Sequence, residues 1–167
     1  DSDAESVGYA TLLEWTNLDY QPDVRRSYIP SRAIRICAVQ YQLREIHEFE
    51  EFARQCEYFV DVAAVYNCDF VLFPEGLTTQ LLTFTPALRP GLAVRKLAEF
   101  TARYLELVNK LAVKYNGNII GGTHFTIEHD RLFNAAYLFK RDGSIGKQYK
   151  LHITPDERRW WGVEAGD

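Results

Sequence analysis

The sequence contains no methionine and only three cysteines among its 167 residues. Because translation starts at methionine, we expect these residues, which begin at Asp1, to be a processed form or a portion of a longer polypeptide. Cys37, Cys56 and Cys68 are odd in number, and no two of them are spaced as C-x-x-C. This pattern favours reduced thiols in a cytoplasmic compartment over disulfides or a cysteine zinc site.

Long apolar runs and clusters of basic residues are also missing. No run approaches the roughly 20 apolar residues that a membrane-spanning helix needs, and residues 1–10 lack the basic start and apolar middle of a signal peptide. The formal net charge is −4, whereas nucleic-acid-binding proteins usually carry a basic stripe that replaces counterions on phosphates. The sequence therefore argues against membrane and nucleic-acid partners.

Hydrophobic residues make up 47% of the chain, which is enough for the core of one domain or of a large part of one. Residues 1–31 show no sustained periodicity and are interrupted by Pro22 and Pro30. They are typical of a lead-in segment or linker. We expect the folded domain to occupy residues 32–167.

The folded part alternates strand and helix patterns before ending in a hairpin. Short β-branched or apolar runs predict strands, and apolar residues spaced by three and four predict helices. The predicted strands are 33–40, 69–73, 118–125, 131–139 and 144–151, and the predicted helices cover 46–63 and 97–115. Strands joined through helices pair in parallel, whereas Arg141-Asp142-Gly143 predicts an antiparallel hairpin. The fold class is therefore α/β with a mixed sheet.

Three charged residues are candidates for chemistry. Glu75 directly follows a buried-looking strand and Pro74, and the working groups of open α/β sheets gather beyond the carboxyl ends of parallel strands. Lys150 ends the last strand, and strand alternation places it with Gly146 and Gln148, on a face that we expect to be covered. A buried lysine needs an acidic partner, since desolvation penalises its charged form. Glu157, seven residues later, is a second carboxylate that could keep Lys150 protonated.

Each of these residues also has an ordinary explanation. Glu75 alone could be a solvated acid that caps the next segment, and Lys150 alone could lie at the surface of an edge strand. Glu157 could simply form a surface ion pair with Arg158 or Arg159. The catalytic interpretation depends on Glu75 and Lys150 meeting in space.

Four short motifs in order resemble the carbon–nitrogen hydrolase (nitrilase) superfamily. They are Phe-Pro-Glu-Gly (73–76), Asn-Ile-Ile-Gly-Gly-Thr (118–123), Phe-Asn-Ala-Ala-Tyr-Leu-Phe (133–139) and Tyr-Lys-Leu-His-Ile-Thr-Pro (149–155). The resemblance implies an α-β-β-α sandwich, with its C-terminal part absent from these residues. It also implies a homo-oligomeric enzyme that needs no cofactor and hydrolyses a non-peptide carbon–nitrogen bond in a small amide or nitrile. Segments 151–155 and 160–162 are most similar to hydrolase domains fused behind an acetyltransferase domain.

The resemblance assigns a role to each candidate. Glu75 matches the general base, Lys150 matches the lysine that stabilises the oxyanion, and Glu157 is similar to a second glutamate that orients the lysine. The family's cysteine nucleophile lies on a further strand end beyond Asp167. We expect the three cysteines of this chain to be core residues. The nucleophile is therefore missing, and we expect residues 1–167 alone to be inactive.

Two other interpretations follow from the same residues. The domain could be a non-catalytic scaffold or oligomerisation module in which Glu75 and Lys150 form only a structural ion pair. It could also be an unrelated dinucleotide-binding domain, but no G-x-G-x-x-G opens a helix, and Gly121-Gly122 instead suggests a close backbone approach. His124 and His152 lack the spacing of a metal site, so we expect no metal.

Overall fold

A computed structural model of the chain describes residues 33–85 and 88–166, together with the backbone of a strand at 9–14. In chain order the elements are β1 (Tyr9–Glu14), β2 (Arg35–Gln40), α1 (Phe49–Val65), β3 (Phe70–Leu72), a 3₁₀ helix (Leu77–Leu82), α2 (Pro90–Ala98), α3 (Thr101–Lys114), β4 (Asn118–Glu128), β5 (Arg131–Phe139), β6 (Ile145–Tyr149), a π-helical turn (Glu157–Trp161) and β7 (Val163–Glu164).

The strands form one mixed sheet in the order β1-β2-β3-β4-β5-β6, and β7 pairs with β5. Strands β2, β3 and β4 are parallel, and β4, β5 and β6 are antiparallel to one another. The predicted α/β class and mixed sheet are confirmed. Strand β1 lies inside the segment that was predicted to be a lead-in or linker, and it pairs antiparallel with β2. The remainder of residues 1–32 lies outside the described residues, so the linker stays a prediction.

The helices cover one face of the sheet. Helix α1 buries Phe52, Cys56 and Phe59, as the spacing of its apolar residues predicts. On the sheet, Cys37, Val71 and Ile119 of β2, β3 and β4 lie in register and are buried below this layer. Burying each large apolar side chain contributes about 1.5–3 kcal/mol, so this layer is the main core.

The opposite face of the sheet carries an apolar row that no described element covers. Strand register aligns Ala38, Leu72, Ile120, Leu138 and Gly146 across five strands. All five are half-buried or exposed, and Leu72 keeps 38% of its surface in contact with solvent. The described residues therefore leave apolar surface exposed on this face, which we call the open face.

One local prediction is wrong. The pattern over 97–115 is divided between two helices, and at the break between them the Thr101 hydroxyl donates to the carbonyl of Ala98 at 2.7 Å. The segment after Glu75 forms the 3₁₀ helix (Leu77–Leu82), in which the Thr79 and Thr83 hydroxyls donate to nearby carbonyls. Among the described helices, none has both the length and the apolarity needed to cross a bilayer.

Candidate active site

A tight turn projects Glu75 beyond the carboxyl end of β3. Gly76 adopts the left-handed conformation with φ of 71°, which glycine reaches without steric cost. Its N–H donates to the Thr123 hydroxyl at 2.9 Å and ties the turn to β4. The Glu75 side chain is 61% exposed, so it is accessible to a molecule that approaches from solvent.

Lys150 meets Glu75 across the sheet. The Lys150 Nζ atom lies 2.9 Å from Glu75 Oε1, although the residues are 75 positions apart in sequence. The Lys150 backbone N–H continues the pairing of β6 by donating to the carbonyl of Asn134 at 2.8 Å. Lys150 shares with Gln148 the open face, which no described element covers. The expectation that this face is covered therefore stays a prediction.

Glu157 holds Lys150 from the other side. Lys150 Nζ lies 3.1 Å from Glu157 Oε1 and 3.0 Å from Oε2. The Thr154 backbone N–H and hydroxyl donate to Glu157 Oε2 at 2.9 and 2.8 Å. Glu157 is only 5% exposed and begins the π-helical turn, an irregularity often found at functional sites. The three predicted residues therefore form one cluster.

Asn134 completes the cluster and was missed by the sequence analysis. Its Nδ2 group donates to Glu75 Oε1 at 3.1 Å and to Glu157 Oε1 at 3.2 Å. Because ionised carboxylates only accept hydrogen bonds, these contacts fix the orientation of the amide. A signal was available, since a polar residue within the apolar run 132–139 must find partners if the strand is buried.

The charges of the cluster support one another. Partial burial by itself lowers the pKa of Lys150, but hydrogen bonds to Glu75 and Glu157 raise it overall. Burial by itself raises the pKa of Glu157, but hydrogen bonds from Thr154, Lys150 and Asn134 lower it overall. Lys150 therefore stays cationic and Glu157 stays anionic near neutral pH.

An open depression of about 290 Å³ lies over this cluster. It is lined by Glu75, Thr123, Asn134, Ala136, Gln148, Tyr149 and Lys150. A larger cavity of about 450 Å³ lies beside the start of α1, but it contains neither Glu75 nor Lys150. We place the site at the smaller cavity because an acid, an amide and an ammonium converge there.

The cysteines lie away from this cluster. Cys37 and Cys56 are buried on the helix-covered side, and burial raises the pKa of both thiols, which keeps them in the unreactive protonated form. Cys68 precedes β3, at the end opposite Glu75. Within the part of the chain that the structure describes, no three His, Cys, Asp or Glu residues are grouped to hold a metal ion.

Comparisons with known proteins place the chain in context. The carbon-nitrogen hydrolase family model matches residues 35–165. Probable hydrolase YhcX of Bacillus subtilis (strain 168) is 54% identical over 166 residues, which cover 99% of this chain and 32% of that protein. A hydrolase in the agr operon of Staphylococcus lugdunensis is 33% identical over 54 residues, covering 32% of this chain and 23% of that protein.

Solved structures that are similar to this chain include a carbon-nitrogen hydrolase and an amidase. A carbon-nitrogen hydrolase from Helicobacter pylori G27 has a TM-score of 0.61 at 19% identity, covering 80% of this chain and 45% of that one. An amidase from Nesterenkonia sp. has a TM-score of 0.62 at 14% identity, covering 80% and 48%. The fold is of the nitrilase type. The chain spans about half of these structures and a third or less of the curated relatives.

Proposed function

Because the chain belongs to the carbon–nitrogen hydrolase family, we propose that the intact polypeptide hydrolyses a non-peptide carbon–nitrogen bond in a small amide or nitrile. The observation that carries this proposal is the contact of Glu75 with Lys150, at 2.9 Å, beneath an open depression. A surface ion pair would need neither the buried Glu157 nor the shared Asn134 amide.

The proposed reaction with an amide has two stages, acylation and deacylation. Glu75 accepts the proton of a cysteine thiol, and the thiolate sulfur forms a bond to the amide carbon. The carbonyl oxygen becomes an oxyanion that the Lys150 ammonium stabilises. The carbon–nitrogen bond then breaks, and Glu75 returns the proton to the departing amine. Finally, Glu75 takes a proton from a water whose oxygen attacks the thioester carbon. The carbon–sulfur bond breaks, the carboxylic acid leaves, and Glu75 returns the proton to the thiolate.

We propose that the nucleophilic cysteine belongs to a part of the polypeptide outside these 167 residues. The burial of Cys37 and Cys56 supports this, because neither can reach the depression without unfolding the core. In addition, the chain covers only about half the length of each of these solved structures. Another solved structure with this fold, of a mutant of the amidase from Nesterenkonia sp. AN1, shows acrylamide added to the active-site cysteine of that enzyme.

The open face supports a two-sheet arrangement in the intact protein. Its apolar row includes Leu72, which is 38% exposed, and soluble proteins usually cover such contiguous apolar surface. We propose that a second sheet from the same polypeptide packs there and completes an α-β-β-α sandwich.

The intact protein is proposed to be a cytoplasmic homo-oligomer.

Relative length supports a further domain. A match over 99% of this chain covers only 32% of the Bacillus subtilis relative, whereas a match over 80% of this chain covers 45–48% of the solved hydrolase structures. That relative is therefore longer than a hydrolase domain requires. We propose that the intact polypeptide also carries an acetyltransferase domain before the hydrolase domain.

The test is turnover of small primary amides and nitriles by the full-length protein, with release of ammonia or amine as the readout. We expect Glu75→Gln to lower kcat by about 10²–10⁴-fold, the usual contribution of a general base. Lys150→Met should lower kcat by about 10²–10³-fold, because it removes a charge that stabilises the oxyanion.

Lys147→Met is the matched control. Lys147 lies on β6, three residues before Lys150, but its Nζ contacts Glu128 at 2.6 Å and it does not line the depression. If Lys147→Met and Lys150→Met reduced turnover equally, the role of Lys150 would be refuted. No turnover of any amide or nitrile by the full-length protein would instead favour the scaffold interpretation.

A further inference from the structure

Two consecutive residues of β4 hold the turn that carries Glu75. Gly122 lies so close to Pro74 that a Cβ atom placed on it would be 2.0 Å from the Pro74 carbonyl oxygen. Thr123 accepts the Gly76 N–H at 2.9 Å. The residues immediately before and after Glu75 are therefore both fixed against β4.

The next residue of β4, His124, holds the 3₁₀ helix that follows the turn. His124 Nδ1 lies 2.9 Å from the Thr78 hydroxyl, and Nε2 lies 2.9 Å from the Thr101 hydroxyl of α3. The imidazole thus connects two threonines that are 23 residues apart in sequence. One threonine belongs to the helix layer, and the other lies three residues after Glu75.

The direction of these hydrogen bonds can be derived from their partners. The Thr101 hydroxyl donates to the Ala98 carbonyl at 2.7 Å, so its oxygen accepts from His124 Nε2–H. Nδ1 then carries the lone pair and accepts from the Thr78 hydroxyl. This assignment fixes one neutral tautomer and satisfies both ring nitrogens.

His124 is rigidly held in this position. It is fully buried, and its ring stacks on Tyr104 at 5.0 Å between centroids. The Tyr104 hydroxyl donates to the Gly121 carbonyl at 2.7 Å, directly before the segment of β4 that contacts the turn. Because the imidazole is fixed in the core, the Thr78 side chain that hydrogen-bonds to it is also held in place.

Glu75 itself has few side-chain contacts that could orient it. Its carboxylate contacts Lys150 and Asn134 through the same oxygen, Oε1, and 61% of the side chain is exposed. Its direction therefore depends largely on the backbone of the turn. A displacement of about 1 Å at a reacting group can cost about 100-fold in rate.

We infer that His124 is a positioning residue that sets the Glu75 carboxylate through Thr78, in addition to its place in the core. The expected change in kcat rests on the proposed function. The expected change in the distance between Glu75 and Lys150 does not, because that distance can be measured without any substrate.

The test compares two isosteric substitutions in the full-length protein, Thr78→Val and Thr101→Val. Each removes one hydroxyl that bonds to His124, so a purely structural role predicts similar effects from both. After Thr101→Val the imidazole keeps its Nδ1 bond from the Thr78 hydroxyl in the same tautomer. We therefore expect only Thr78→Val to release the turn.

We expect both variants to lower Tm to a similar extent. Thr78→Val should lower kcat on the best amide substrate by about 10–100-fold, with a much smaller change in KM. Thr101→Val should stay within about twofold of wild-type kcat. In crystal structures, the distance from Glu75 to Lys150 should exceed hydrogen-bonding range only in Thr78→Val.

Thr78→Ser restores the hydroxyl and should restore both kcat and the 2.9 Å contact of Glu75 with Lys150. The inference is overturned if Thr78→Val retains that contact and its kcat, or if both valine variants lose kcat equally. If Thr78→Val does not fold, a Thr78→Ser variant with a displaced Glu75 overturns it. Absence of wild-type turnover counts against the proposed function alone, because the crystallographic distances still decide the inference.

Discussion

The stability of the protein should depend on the protonation of His124. Burial lowers the pKa of this imidazole from 6.5 to about 4 in the folded state. Between these two values the unfolded chain binds a proton that the folded chain does not. The resulting stability is fully present above about pH 6.5 and is lost as the pH falls toward 4. A difference of about 2.5 pH units corresponds to about 3 kcal/mol.

Other groups titrate in the same range, so the measurement compares the full-length protein with a His124→Asn variant in identical buffers. The free energy of unfolding is measured by urea denaturation at pH 7.5, 6, 5 and 4.5. The difference in this free energy between the two proteins cancels the contributions of the other groups. Tyr104, which stacks on the ring, has a pKa raised by burial and does not titrate here. Stability curves that stay parallel from pH 7.5 to 4.5 would refute the neutral, buried imidazole.

Three further results are expected. Gly122→Ala should cost about 2–5 kcal/mol in unfolding free energy, because it adds a clash with Pro74 to left-handed strain. Gly143→Ala has similar strain, but its Cβ would make only an ordinary contact with Val113 at 3.7 Å, so it should cost about 1–2 kcal/mol. Glu157→Gln should cost about 1–3 kcal/mol at pH 7 and less at acid pH, because hydrogen bonds lower the pKa of Glu157 and its contribution disappears on protonation. Cys56 should resist iodoacetamide until urea unfolds the protein, as peptide mass spectrometry can show; labelling in the native state would contradict its burial.

The sequence predicted the fold where side-chain pattern and tertiary packing agree. The apolar spacing in 46–63 matches the buried face of α1, and the strand patterns match β2 to β6 because one face of each strand is buried. The break between α2 and α3 was not predicted, because it depends on the Thr101 hydroxyl and on His124, which is distant in sequence. Strand β1 lay in a segment without clear periodicity.

The candidate site was predicted through its charges. Glu75 could be found because it follows the carboxyl end of a predicted parallel strand. Lys150 and Glu157 could be found because a buried lysine is costly without an acidic partner. Asn134 was missed because a neutral amide within an apolar strand does not by itself identify its partners. Strand alternation identifies the residues that share a face with Lys150, but it does not tell which layer of the protein covers that face.

The two carboxylates contact the same lysine but differ in what else holds them. Glu157 is 5% exposed and accepts hydrogen bonds from Lys150, Asn134 and two groups of Thr154. Protonating it would disturb all of these contacts, so it suits a permanent counterion of the ammonium. Glu75 has a largely exposed side chain and contacts Lys150 and Asn134 through one oxygen, which leaves Oε2 available to exchange a proton. The difference in burial thus assigns the proposed roles of counterion to Glu157 and general base to Glu75, although both groups are carboxylates. Because the exposed Glu75 side chain has few contacts, the backbone of its turn must orient it.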